Sequence, residues 1–231
     1  ALLTKLQLNR VEYKELISFW EPTFSLIVYQ LSIGMPFIIC GVMIGLLGDS
    51  FSLGVFGLGC TFINLFFNSL LNGITEYIGV KSSTLFGKSN FYQMSIYFYK
   101  GVISIFCLMI FYYVFACFSY KLMIFIKIEE NIANSTYLLL YKSFYYLILQ
   151  AYNNLLVSYM SSQGVNKPFI YINSISILVV LFFSKLFIID SNYKEMGFVY
   201  TKIIQESINL LCYLIVLFKS CNIKSIILPK F

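Results

Sequence analysis

The sequence predicts an all-α integral membrane protein with six transmembrane helices, and three observations carry that expectation. Hydrophobic residues fill 59% of the 231 positions and charged residues 11%, with a mean hydropathy of +0.82. A water-soluble fold of this size cannot hide 24 Phe and 19 Tyr beside its Leu and Ile. Charges are also so sparse that the intervals between them draw the topology. Residues 22–48, 50–75, 101–120, 143–166 and 168–184 contain no Asp, Glu, Lys or Arg, and a helix needs about 20 apolar residues to cross the hydrocarbon. Finally, runs such as Ile177 through Phe183 do not alternate apolar with polar as membrane strands do.

In chain order, residues 1–22 mix Leu8, Val11 and Leu16 with Arg10, Glu12, Lys14 and Glu15, which predicts a short interfacial helix on the cytoplasmic side. The first span, 23–47, holds Gln30 and a mid-helix Pro36. Proline removes a backbone hydrogen bond, so Pro36 is a candidate hinge. In the second span, 53–80, Asn64, Asn68, Asn72 and Glu76 recur every four residues and share one face. Amides facing lipid would cost several kcal/mol each, roughly, so this stripe is expected in the bundle interior, against other helices or a wet cavity. The third span, 95–120, carries Lys100 near its start and no other charge.

The fourth span, 133–159, carries Lys142, Tyr146, Gln150 and Asn153. The fifth, 168–189, is mostly apolar, with Lys185 near its end. The sixth, 196–218, is the least clean, because Lys202, Glu206 and Asn209 repeat at i, i+4 and i+7 along one face. Ionisable groups at that depth are functional candidates. Glu206 is expected to pair with Lys202 or with Lys142 across the bundle. Residues 219–231 form the cytoplasmic tail.

Several functions are excluded. The chain has no His, and its six Cys form no cluster or closely spaced pair, so no metal centre, cofactor or catalytic triad is expected. The net charge of +6 is scattered rather than gathered in a nucleic-acid-binding block. No enzyme is expected.

The order of motifs resembles the first half of the multidrug and toxic compound extrusion (MATE) transporters. Pro22 followed by Gln30 is similar to that family's entry to its first helix. Gly45-Leu46-Leu47-Gly48-Asp49 looks like its Gly-His-Leu-Gly-Glu/Asp turn, and Leu53 through Gly59 with Thr61 to Asn64 like the start of its second helix. Phe86-Gly87-Lys88, Gln163-Gly164 with Pro168, Leu186-Phe187-Ile188 and Gly197 continue the resemblance over nearly the whole chain. It departs at Cys40, where bacterial and archaeal members carry a coupling Asp, and at Gly79, Thr84 and Tyr200-Thr201-Lys202. Glu76 and Glu206 remain as acidic candidates.

The resemblance implies one six-helix lobe of a two-lobed, twelve-helix transporter. A second lobe or a homodimer partner would complete the cavity. It further implies a secondary-active antiporter that exports amphipathic or cationic organic compounds by alternating access, driven by a proton or sodium gradient. Two alternatives stand beside it. One is a flippase for lipid-linked substrates from the same superfamily, with a more cationic cavity. The other is a non-transporting subunit of a membrane complex.

The positive-inside rule sets the orientation. With the N-terminus inside, ten basic residues lie on that side (Lys5, Arg10, Lys14, Lys81, Lys88, Lys100, Lys167, Lys219, Lys224 and Lys230). Three, Lys121, Lys127 and Lys194, lie opposite. Both termini are therefore expected in the cytoplasm. A cysteine placed at position 129 in a cysteine-free background should react with an impermeant maleimide from outside the cell; labelling only from the cytoplasmic side would reverse the topology.

Overall fold

A computed structural model describes Trp20, residues 23–24, 27–31 and 33–220. The expected interfacial helix over 1–22 and tail over 219–231 lie outside the described residues, apart from Trp20, Lys219 and Ser220. Six helices run through the described residues, without strands. They are α1 (Ile27–Leu46), α2 (Ser50–Gly87), α3 (Phe91–Phe125), α4 (Glu130–Ser161), α5 (Lys167–Asp190) and α6 (Glu195–Ser220). Helices α2 to α5 outgrow their charge-free intervals, because their end turns stay helical through the flanking charged residues, whereas α1 falls within its own.

Local chemistry sets the boundaries. Gly48, at φ 69°, takes the left-handed conformation that ends α1. Asp49 then caps α2, its carboxylate accepting from the backbone N–H of Phe51 at 3.1 Å and of Ser52 at 3.4 Å. Asn90 caps α3 through the N–H of Gln93 at 3.1 Å. Pro168 sits in the first turn of α5, where its missing N–H costs nothing. Two stretches are wound as π-helix, Asn64–Asn68 inside α2 and Lys185–Asp190 at the end of α5.

The helix at the centre is α4. It packs against α2, α3 and α6, and α5 covers the far side of α6. Phe198 of α6 joins three neighbours, with ring centroids 5.3 Å from Phe37 of α1, 5.1 Å from Phe56 of α2 and 5.8 Å from Tyr146 of α4. Close approach is enforced by small residues. A Cβ on Gly59 would lie 2.7 Å from Leu139, and one on Gly197 would lie 3.1 Å from the backbone at Phe187 and Ile188.

One expectation changes here. Five of the six helices are long and apolar enough to cross a membrane, and the missing one is α4, not the charged sixth span. The reason is position. Shielded by three neighbours, α4 can carry Lys142, Gln150, Asn153 and Asn154, which a lipid-facing helix could not.

At one end of the bundle the α1–α2 and α5–α6 connections are tied together. The Lys194 ammonium donates to Asp49 Oδ2 at 2.7 Å. That hydrogen bond, with the Ser52 hydroxyl and N–H, holds the Asp49 carboxyl down to about 2 from an ordinary 3.8, and Asp49 raises Lys194 above 10.5. A lowered carboxylate pKa stabilises the fold above the unfolded value and loses that contribution as pH falls through the folded one. The raised lysine loses its share only as pH climbs beyond its own folded value. Asp49→Asn should therefore melt below the wild type at pH 7, with the gap closing between about pH 4 and pH 2. A gap that persists unchanged at pH 2 would remove the ion pair as its cause.

Candidate functional site

The sixth helix carries the buried charges. Glu206 lies eleven residues from Glu195, about 16 Å along a 26-residue helix, and so near its middle. Lys202 is fully buried and Glu206 is 5% exposed. Spacing of i and i+4 puts both on one face. The Lys202 ammonium donates to Glu206 Oε1 at 2.7 Å and to Gln205 Oε1 at 3.1 Å. Asn153 of α4 donates through Nδ2 to Glu206 Oε2 at 2.8 Å and to the Glu206 carbonyl at 3.0 Å. The lysine also lies over two rings, 5.8 Å from Tyr146 and 6.0 Å from Phe37. These contacts offset a desolvation cost of several kcal/mol per ion, roughly. Below them, Ser176 donates to Asn209 and the Tyr213 hydroxyl to Asn173 Oδ1 at 2.7 Å, joining α5 to α6.

The second element is a cleft between α1, α2 and α4. Its two continuous parts have volumes of about 570 and 330 Å³. Asn64, Asn68, Asn72 and Glu76 line it from α2, Tyr29 and Gln30 from α1, and Gln150 and Asn154 from α4. Asn68 donates to Asn64 Oδ1 at 2.6 Å and accepts from Gln150 Nε2 at 3.1 Å. The π-helical winding across Asn64–Asn68 widens the turn and keeps these amides in line.

Of the two settings expected for it, other helices or a wet cavity, the stripe takes the second, bordering the open cleft rather than the packed core. Asn64, Asn72 and Glu76 are exposed and Asn68 half-buried. The amides are solvated by one another and by the open cleft, so they have no need of a tightly packed helix. Among the described residues, Glu76 is the one charged side chain lining the cleft, and no Lys or Arg lines it.

Cleft and ion pair communicate. Tyr29 donates to Asn154 Oδ1 at 2.7 Å, and both residues line the cleft as well as a small cavity of about 10 Å³ beside Glu206, Asn153 and Asn209. Asn153 Oδ1 and Asn173 Nδ2 are buried there with no hydrogen-bond partner among the described residues. A polar line thus runs from the cleft, through Tyr29 and Asn154, to the Lys202–Glu206 pair.

The structure brings together Glu206, Lys202 and Asn209 in one cluster, and Asn64, Asn68, Asn72, Glu76 and Gln30 around one cleft. Lys142 stands apart. It lies half-buried on α4, eleven residues and about 16 Å from Asn153, and takes no part in the Glu206 cluster. Pro36 is buried within α1, which stays helical on both sides of it. Sequence reasoning passed over Tyr29, Asn154, Asn173, Ser176 and Tyr213. Asn173 and Ser176 gave a signal, as polar residues three apart inside an otherwise apolar span.

Removing one partner of the pair strands the other in a dry interior. Lys202→Met alone should cost about 3–5 kcal/mol, whereas Lys202→Met with Glu206→Leu should recover most of it, because two apolar side chains carry no desolvation cost. Chemical denaturation in detergent micelles measures both. Additive losses in the double variant would show that the pair is not coupled.

The MatE family model matches residues 25–186 of the chain. No curated protein sequence matches it. Among solved structures, the crystal structure of the eukaryotic MATE transporter AtDTX14 matches with a TM-score of 0.85 at 14% identity, covering 93% of this chain and 48% of that one. That likeness speaks to the fold, and this chain spans about half the length of AtDTX14. With the family model covering well over half of its residues, the chain belongs to the MatE family.

Proposed function

We propose that the chain is one six-helix lobe of a secondary-active antiporter that exports amphipathic or cationic organic compounds. It works by alternating access, against a second lobe or a homodimer partner, and is coupled to a proton or sodium gradient. Both termini face the cytoplasm, and α4 is the sixth membrane crossing. The observation that carries this reading is the buried Lys202–Glu206 pair, joined by polar groups to an open cleft.

The cleft is where a substrate meets this lobe. Its amides and hydroxyls offer hydrogen bonds in every direction, and Glu76 gives it a single negative charge. That favours a cation. It disfavours the flippase reading, since a lipid-linked pyrophosphate would call for Lys or Arg in the lining. A non-transporting subunit would have no use for a titratable pair at the end of a polar path.

Glu206 is the coupling group in this proposal. A proton arriving by way of the small cavity that Tyr29 and Asn154 border neutralises the carboxylate and frees Lys202 from its anion. The lysine lies against Phe37, one residue beyond Pro36, so its release is felt at the hinge of α1. The occupancy of one carboxylate thereby biases the position of one cleft wall.

The test is Glu206→Gln in proteoliposomes, with the protein in its transporting assembly and ethidium as the probe. The amide keeps the shape but has a single acceptor oxygen: that oxygen can take the Lys202 hydrogen bond, its nitrogen can donate to Asn153 once that amide turns its Oδ1 inward, and it cannot titrate. Ethidium binding should stay within about twofold of wild type, while efflux driven by a pH or sodium gradient falls to background. A well-folded variant with unchanged gradient-driven efflux would sink the assignment and move the search to Glu76.

A further inference from the structure

The reverse side of α2 holds a second groove that the transport reading leaves unused. It lies between α2 and α3 and has a volume of about 700 Å³. Its walls are polarised along their length. Towards the α2–α3 turn stand Tyr77, Tyr97 and Lys100, with Lys81 one turn beyond Tyr77. The rings meet edge to face at 6.4 Å, and each carries an ammonium over it, Lys100 at 4.9 Å from Tyr97 and Lys81 at 5.8 Å from Tyr77. Away from the turn the lining becomes Leu70, Ile74 and Ile103. Gly73 leaves an open channel there, since a Cβ on it would meet nothing within 4 Å.

Both lysines are exposed, no carboxylate lines the groove, and neither takes part in an ion pair among the described residues. Their depth is set by α3. Its 35 residues span about 52 Å against a hydrocarbon core of about 30 Å, so a centred helix projects about 11 Å at each end. Lys100 is nine residues, about 14 Å, from the start of α3. It therefore lies just inside the boundary, where its stem carries the ammonium up to the headgroups. Two cations and two phenols at headgroup level, above an apolar channel, have the polarity of an anionic lipid.

We propose that this groove is a binding site for one anionic phospholipid, its phosphate held between Lys81 and Lys100 and an acyl chain laid over Gly73. The occupant is a lipid rather than a protein because the charge at this depth asks for a phosphate, which the bilayer presents there by construction. The bound lipid braces α2 from behind, on the helix whose opposite face lines the cleft.

Native mass spectrometry of the full protein, released from detergent after equilibration with equal phosphatidylglycerol and phosphatidylcholine of matched chains, tests this. One phosphatidylglycerol should be retained preferentially. Each lysine removed should lower that preference about fivefold, and K81Q/K100Q about 25-fold. Gly73→Leu leaves the charge untouched and fills the channel, so it should reduce retention of both lipids. Exposed, unpaired lysines and an open Gly position leave the melting temperature of each variant near wild type. Equal retention of the two lipids by wild type would overturn the site, as would a preference that survives K81Q/K100Q. So would a second lobe or a second copy covering the groove, seen as retention indifferent to G73L.

Discussion

Burying a lysine and a glutamate in the middle of a membrane helix is the constraint around which this lobe is organised. Neither charge is tolerable there alone, and their mutual attraction does not fully offset the loss of water. The remainder is supplied by neighbours on other helices. Asn153 satisfies the second carboxylate oxygen from α4, and aromatic rings from α1 and α4 face the ammonium. The pair therefore demands a polar α4, and a polar α4 must be covered by α2, α3 and α6.

That dependence explains why hydropathy and burial disagree in α4. A helix exposed to lipid is selected for apolarity, whereas a helix enclosed by protein is selected for what its neighbours need. In α4 that includes Gln150 for the Asn68 amide, Asn154 for the Tyr29 hydroxyl, and a carbonyl for the hydroxyl of Tyr112 at 3.0 Å. The most central helix is consequently the one that composition alone fails to recognise as a membrane span.

Much of the fold was legible because charges are rare. Asp49, Lys167 and Asp190 mark connections simply by being charged in an apolar chain, and five of the six helices fall where the charge-free intervals place them. The i, i+4 pairing of Lys202 with Glu206 was legible for the same reason, since four residues of α-helix permit it. Contacts between helices were not. That Tyr29 meets Asn154 across 125 residues, or that Lys202 rather than Lys142 pairs with Glu206, depends on helix rotation and register. Apolar faces all look alike to lipid, so the sequence leaves those angles open. The amide stripe was visible as a face of α2, but not the cleft it borders, because the standing distance of α1 is a property of packing.

The π-helical turn at Asn64–Asn68 has a consequence for how this chain can vary. Such a turn holds one residue more than its α-helical equivalent, so it behaves as an insertion absorbed within an intact span. Everything C-terminal to it, Asn72 and Glu76 included, keeps its phase. Removing a single residue between 64 and 68 would close the turn to regular α-helical winding and leave Asn72 and Glu76 facing the cleft, because the turn already holds the surplus. Removing one residue from the regular winding after Ser69 would instead swing everything beyond it by about 100°, taking the carboxylate out of the cleft and the lysine–tyrosine face with it. Length is thus freer within the π-helical turn than in the α-helix that follows it.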